Sequence, residues 1–141
     1  MEIANVKRRV METIERARRA AADRRTLTDE AAKEYDVFLE RIAVPIFRQI
    51  ANVLRAQNYP FTVFTPAGSV RLMSDRAAED YVELVLDTTG SQPTVVGHAS
   101  RLRGRHITEL ERPLRPGPIR ELTEDDVLGF VLKELEPLVE K

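Results

Sequence analysis

The stretch Gln57-Asn58-Tyr59-Pro60-Phe61-Thr62-Val63-Phe64-Thr65 marks the point where the chain changes its hydrophobic period. Before it, apolar residues recur every three or four positions, the spacing of one helix face; after it they alternate, the spacing of a strand. Asn58 and Pro60 are turn and breaker residues at the boundary itself. Everything N-terminal to residue 58 therefore reads as helical and the next fifty-odd residues as sheet.

Downstream the alternation persists. Phe61–Thr65 is a first strand, Pro66-Ala67-Gly68 a turn and Ser69–Ser74 a second strand. The clearest strand is Asp80-Tyr81-Val82-Glu83-Leu84-Val85-Leu86-Asp87, with Val82, Leu84 and Leu86 on one face. Thr94–Leu102 forms a fourth strand, Arg103-Gly104-Arg105 a tight turn and His106–Arg112 a fifth. Ile107 and Leu110 have opposite parity, so this last strand is expected to carry a bulge or to be buried on both faces. Short connections throughout imply an antiparallel five-stranded meander.

Working back from residue 57, two helices are expected. Ile3, Val6, Val10, Ile14, Ala17 and Ala21 make a narrow stripe between Glu2 and Arg25. Thr26-Leu27-Thr28-Asp29-Glu30 reads as a break and restart, with Thr26 or Thr28 as N-cap. The second helix carries a wider stripe through Tyr35, Phe38, Leu39, Ile42, Ile46, Phe47, Ile50, Val53 and Leu54. Pro45 inside it predicts a kink between Arg41 and Pro45, or two helices in tandem with Pro45 in a first turn. The pair is expected to fold back as an antiparallel hairpin roughly 35 to 40 Å long.

Forward of the sheet, Pro113–Pro118 is an extended, proline-rich connector. Thr123-Glu124-Asp125-Asp126 is a helix start with a capping-box partner at Asp126, followed by a helix whose apolar face is Val127, Phe130, Val131, Leu135, Leu138 and Val139. The fold class is thus α+β in one domain: a helical hairpin over 1–57, an antiparallel sheet over 58–113, a connector over 114–122, and a C-terminal helix over 123–141 packed on the sheet.

Composition excludes several functions. The chain of 141 residues has no Cys and two His, which rules out disulfides, zinc ribbons, iron–sulfur clusters and thiol catalysis. No run approaches the roughly 18 apolar residues of a membrane span, and the first residues lack the apolar core of a secretion signal, so a cytoplasmic protein is expected. There is no G-x-S-x-G, P-loop, dinucleotide fingerprint or H-E-x-x-H, and no cofactor is implied.

The net charge of −1 is unevenly spread. Residues 1–25 and 98–120 each carry a net +4, whereas 121–141 carries −5. Arg101, Arg103, Arg105 and His106 gather at one turn, where Gly104 lets guanidinium groups converge on an anion. Arg16 and Arg19 on the first helix extend a possible phosphate or nucleic-acid surface, although acids are interspersed there and no aromatic is available to stack on bases. His98 and His106 would approach one another if the last two strands form a tight hairpin, yet no carboxylate completes a ligand set. Glu83 and Asp87 share a strand face but lie about 13 Å apart, too far to act on one bond.

Phe64, Met73, Tyr81 and Val85 share the second sheet face with Arg71 and Glu83, leaving apolar area that one compact core does not use. The leading expectation is a non-enzymatic protein–protein interaction module that self-associates as a homodimer, through this face or along the N-terminal hairpin. The alternative is a nucleic-acid or phosphate-ligand binder using the Arg-rich turn and the basic first helix.

Overall fold

A computed structural model describes residues 1–140 of the chain. Its elements are α1 (Ile3–Phe38), a π-helical turn (Leu39–Ala43), α2 (Val44–Ala56), β1 (Phe61–Phe64), β2 (Ser69–Ser74), β3 (Tyr81–Asp87), β4 (Thr94–Arg103), β5 (His106–Pro113), a 3-10 turn (Ile119–Glu121) and α3 (Glu124–Val139). The sheet is antiparallel in the order β1-β2-β3-β4-β5, a simple meander, and all helical packing falls on one of its faces. The expected α+β arrangement therefore holds.

The N-terminal region departs from the expected hairpin. The helices do not fold back; they join end to end into a rod from Ile3 to Ala56, about 80 Å long. No break occurs at Thr26–Glu30 because nothing there forces one. The hydroxyl of Thr26 donates to the Ala22 carbonyl inside the helix (3.1 Å) instead of capping a new one. Neither Gly nor Pro interrupts the chain before Pro45. The joint lies where Pro45 predicts it. Pro45 occupies the first turn of α2, and just before it the backbone widens to π spacing, Val44 N–H bonding the Leu39 carbonyl five residues back. That local change accommodates a residue with no N–H while the helical run continues.

The rod stops at the period switch. Asn58 takes a left-handed conformation (φ 68°), with Asn58 N–H on the Arg55 carbonyl (3.0 Å) and Tyr59 N–H on the Leu54 carbonyl (2.8 Å). This is a Schellman ending, in which two otherwise unpartnered carbonyls are satisfied.

Phe47, Val70, Leu72, Val82, Leu84, Val127 and Val131 form the fully buried centre between helices and sheet. Tyr35 ties α1 to the end of the sheet that carries the β1–β2 turn, its hydroxyl donating to the Gly68 carbonyl (2.7 Å). Burial pushes its phenol pKa up, aided by the nearby Glu83 and Asp36 charges. On β4, Gly97 leaves room for the Phe130 ring of α3, which a Cβ would meet at 2.2 Å. Arg112 stacks on the same ring (4.9 Å) and reaches Glu134 (3.4 Å), joining α3 to the outermost strand.

The expected bulge or double burial of β5 is absent. Its pairing with β4 runs unbroken from Val96↔Pro113 to Arg103↔His106, and Ile107 and Leu110 are both exposed. β5 is an edge strand: Ile107 lies on the face away from the helices, and Leu110 faces the end of α3 across a shallow pocket that only partly covers it.

The capping box at Thr123 is formed in both directions: Asp126 N–H donates to the Thr123 hydroxyl (3.2 Å) and Thr123 N–H to the Asp126 carboxylate (2.9 Å). Partial desolvation pushes the Asp126 carboxyl up, but hydrogen bonds from the Thr123 backbone, Arg115 and the Thr123 side chain outweigh it and hold it below the ordinary carboxylate range. A depressed carboxyl stabilises the fold above its unfolded pKa and ceases to do so as pH falls through the folded value. Asp126→Asn is therefore expected to be less stable than the parent at neutral pH, with the gap closing in acid below the usual carboxylate range, read by urea midpoints across pH. Gly97→Ala is expected to cost about 2 to 3 kcal/mol through overpacking against Phe130. Gly90→Ala, where the added atom meets only Gln92 O at 3.8 Å, should stay near neutral in the same urea titrations.

Candidate functional site

The most conspicuous surface feature is the N-terminal half of α1. From Met1 to Leu27 every residue is exposed except Asn5 and Ala21, which are half-exposed. Coverage by the domain begins at Thr28, Ala31, Ala32 and Tyr35. About 25 residues, or roughly 37 Å of helix, thus project as an arm. Its side-chain hydrogen bonds are local: Arg8 to Asn5, Arg16 to Thr13 and Arg19 to Glu15. The stripe Ile3, Val6, Val10, Ile14 lies bare along it, Ile3 at 87% and Val10 at 51% exposure. An isolated helix of this kind is marginal in water, because helical stability in proteins comes mostly from packing an amphipathic face. The stripe was legible in the spacing; its isolation was not, since the expected hairpin would have covered it.

The outer sheet face carries the second feature. Phe64, Met73, Tyr81 and Val85 do lie together there with Arg71 and Glu83, as the register requires: Phe64↔Arg71, Met73↔Tyr81 and Arg71↔Glu83 are cross-strand pairs. Phe64 is exposed and the other three apolar side chains are half-buried. Polar groups interrupt the patch. Arg71 bonds Glu83 (2.8 Å) and lies over the Tyr81 ring (4.1 Å), and His98 faces Glu111 (3.7 Å) along the same row. This charged row covers much of the apolar area that the four residues would otherwise offer.

An open apolar cleft of about 300 Å³ lies between α2 and α3, lined by Ile50, Val53, Leu128 and Leu132 among others.

The basic residues fall in two places. α1 meets the sheet at the β1–β2 turn through Tyr35 and Gly68, whereas Arg55 near the end of α2 bonds Thr62 (2.7 Å) and approaches Asp75 (3.6 Å) at the opposite end. The arm bearing Arg16 and Arg19 consequently leaves beyond the end with the β1–β2 and β3–β4 turns. Arg101, Arg103, Arg105 and His106 sit at the other end, where β4 turns into β5. Gly104 makes that turn possible with φ 61°. Arg103 there approaches Glu140 of the acidic C-terminal segment (3.8 Å), and Arg101 lies beside Glu109 and Glu134 in a shallow pocket. The two basic zones of one copy do not form one face.

The paired histidines are not brought together. His98 pairs in register with Glu111 and His106 with Arg103, and the two side chains point to opposite faces of the sheet. They are offset by five residues, about 17 Å along the strand. Alternation rather than hairpin tightness decides this. Glu83 is engaged by Arg71, and Asp87 accepts hydrogen bonds from the Thr89 hydroxyl (2.6 Å) and N–H (2.9 Å), contacts that hold its carboxyl below the ordinary range. Both carboxylates thus serve local structure. Among the described residues no group of three His, Asp or Glu gathers to hold a metal ion, and no helix is long and apolar enough to cross a membrane. No protein-family model, curated protein or solved structure matches this chain.

Proposed function

We propose that the chain is a non-catalytic, cytoplasmic protein–protein interaction module that self-associates as a homodimer. One observation carries this reading: an amphipathic helical arm of some 25 residues with its apolar stripe in open water. A stripe of Ile and Val on a helix that touches nothing of its own domain has a physical use only when another surface covers it. The dispersed polar residues support the non-catalytic part of the reading. His106 and Asp87 stand apart from the others, and Glu83, the cross-strand neighbour of His98, is already engaged by Arg71.

The nucleic-acid or phosphate-binding alternative draws on the same arginines. It has less support, because Arg16 and Arg19 stand at one end of the molecule and Arg101, Arg103 and Arg105 at the other, with Arg103 near Glu140. A backbone binder needs its cations along one track.

Sedimentation of the purified chain over a wide concentration range is expected to give a reversible monomer–dimer equilibrium. A strict monomer at all concentrations, together with salt-sensitive binding of DNA or RNA, would reverse the order of the two readings.

A further inference from the structure

We infer that the occupant of the α1 stripe is the same stripe of a second copy, packed antiparallel about a two-fold axis that passes between Ile14 and Ala17. The inference rests on the self-association reading and adds to it the surface, the direction and the register.

Three features of the arm lead there. The first is the spacing. Ile3, Val6, Val10, Ile14, Ala17 and Ala21 follow steps of three, four, four, three and four. Ile3 to Ile14, Val6 to Ala17 and Val10 to Ala21 are each eleven residues apart, a repeat close to the period of a straight helix. Two such arms can lie side by side with only a slight right-handed supercoil. The run then reaches Thr28, the residue at which the domain begins to cover α1.

The second is a gradient of size. The N-terminal part of the stripe is broad, with Ile3, Val6, Val10 and Ile14; the C-terminal part is narrow, with Ala17 and Ala21. In an antiparallel pair with Ile14 opposite Ala17, Val10 falls opposite Ala21 and Ile3 opposite Thr28. Ile14, Val10 and Ile3 then each meet a smaller side chain, Val6 lies against the aliphatic stem of Arg25, and the two axes can keep one separation, about 8 to 10 Å. A parallel pair would set Ile3 on Ile3 and Ala21 on Ala21, splaying one end and leaving a void along the other.

The third is closure. An antiparallel pair uses the same patch on both copies, so the contact is isologous and stops at two chains. The tip of each arm ends at Thr28 of the other, where its domain begins. The stripe from Ile3 to Ala21 is used by this one contact.

Charge does not drive this contact. On a helical wheel Lys7, Arg18 and Arg25 fall along one edge of the stripe. Antiparallel packing sets that edge against itself, with Lys7 of one copy near Arg25 of the other. The pair is therefore held by apolar packing against a like-charge penalty, and salt, which screens that penalty, should tighten it. An anionic partner on the same arm would respond in the opposite sense.

The absence of Cys makes the geometry directly measurable. Full-length Val10→Cys and Ala21→Cys, mixed and mildly oxidised, are expected to form the mixed disulfide. Val10→Cys alone should not cross-link within the dimer, because the two positions are then offset by about 16 Å, well beyond disulfide reach. Efficient cross-linking of Val10→Cys to itself would overturn the antiparallel register. Ile14→Glu, at an exposed position that leaves the domain core untouched, is expected to weaken dimerisation more than about tenfold by placing a charge in the contact, with unchanged thermal unfolding. A dimer indifferent to Ile14→Glu would overturn the arm as the interface while leaving self-association standing; a parent chain that is always monomeric removes both. Dimerisation that weakens as salt rises would also overturn the inference, pointing to an anionic partner for the arm.

Discussion

The unbroken backbone of the N-terminal rod is the constraint on which the rest depends. Because helical hydrogen bonding passes from α1 into α2 through a π turn, the direction of the whole rod is set by the part that packs on the sheet. Tyr35 on Gly68 at one end and Arg55 on Thr62 at the other hold it along the strands. The first 25 residues have no contact of their own to obey, and they point where the packed half sends them. A flexible joint at Thr26–Glu30 would have let the stripe collapse onto the domain. A stiff one keeps it in water.

The domain beneath the arm is self-sufficient. α2 and α3 cover one face of the meander, and the outer end of the Phe130 ring sits against Gly97 because that position lacks a side chain. The opposite face stays uncovered without being greasy, since Arg71, Glu83, His98 and Glu111 form a row of cross-strand neighbours between the apolar residues. This arrangement separates two kinds of exposed apolar surface. On the sheet it is diluted by charge; on the arm it is continuous.

Most of the fold was legible one residue at a time. Alternation located all five strands, with Asn58 and Pro60 at the switch, Gly104 at the last turn and Thr123 with Asp126 at the start of α3. Pro45 located the joint in the rod. What misled was Thr26-Leu27-Thr28-Asp29-Glu30, a capping sequence by composition, where the Thr26 hydroxyl turns back to Ala22 inside a continuing helix. The candidate surface was half visible for the same reason: the stripe could be counted, but whether its own domain covers it depended on that one junction.

The amino-acid order determined element types, their order along the chain and most of the apolar residues of each face, because these follow from local backbone preference and from periods of 3.6 and 2. Tertiary structure alone decided that the helix continues unbroken through Thr26–Glu30 and that the basic zones lie at opposite ends. Those outcomes depend on where distant segments meet: a cap signal competes with continued helix at similar energies, and only packing elsewhere along the rod selects between them.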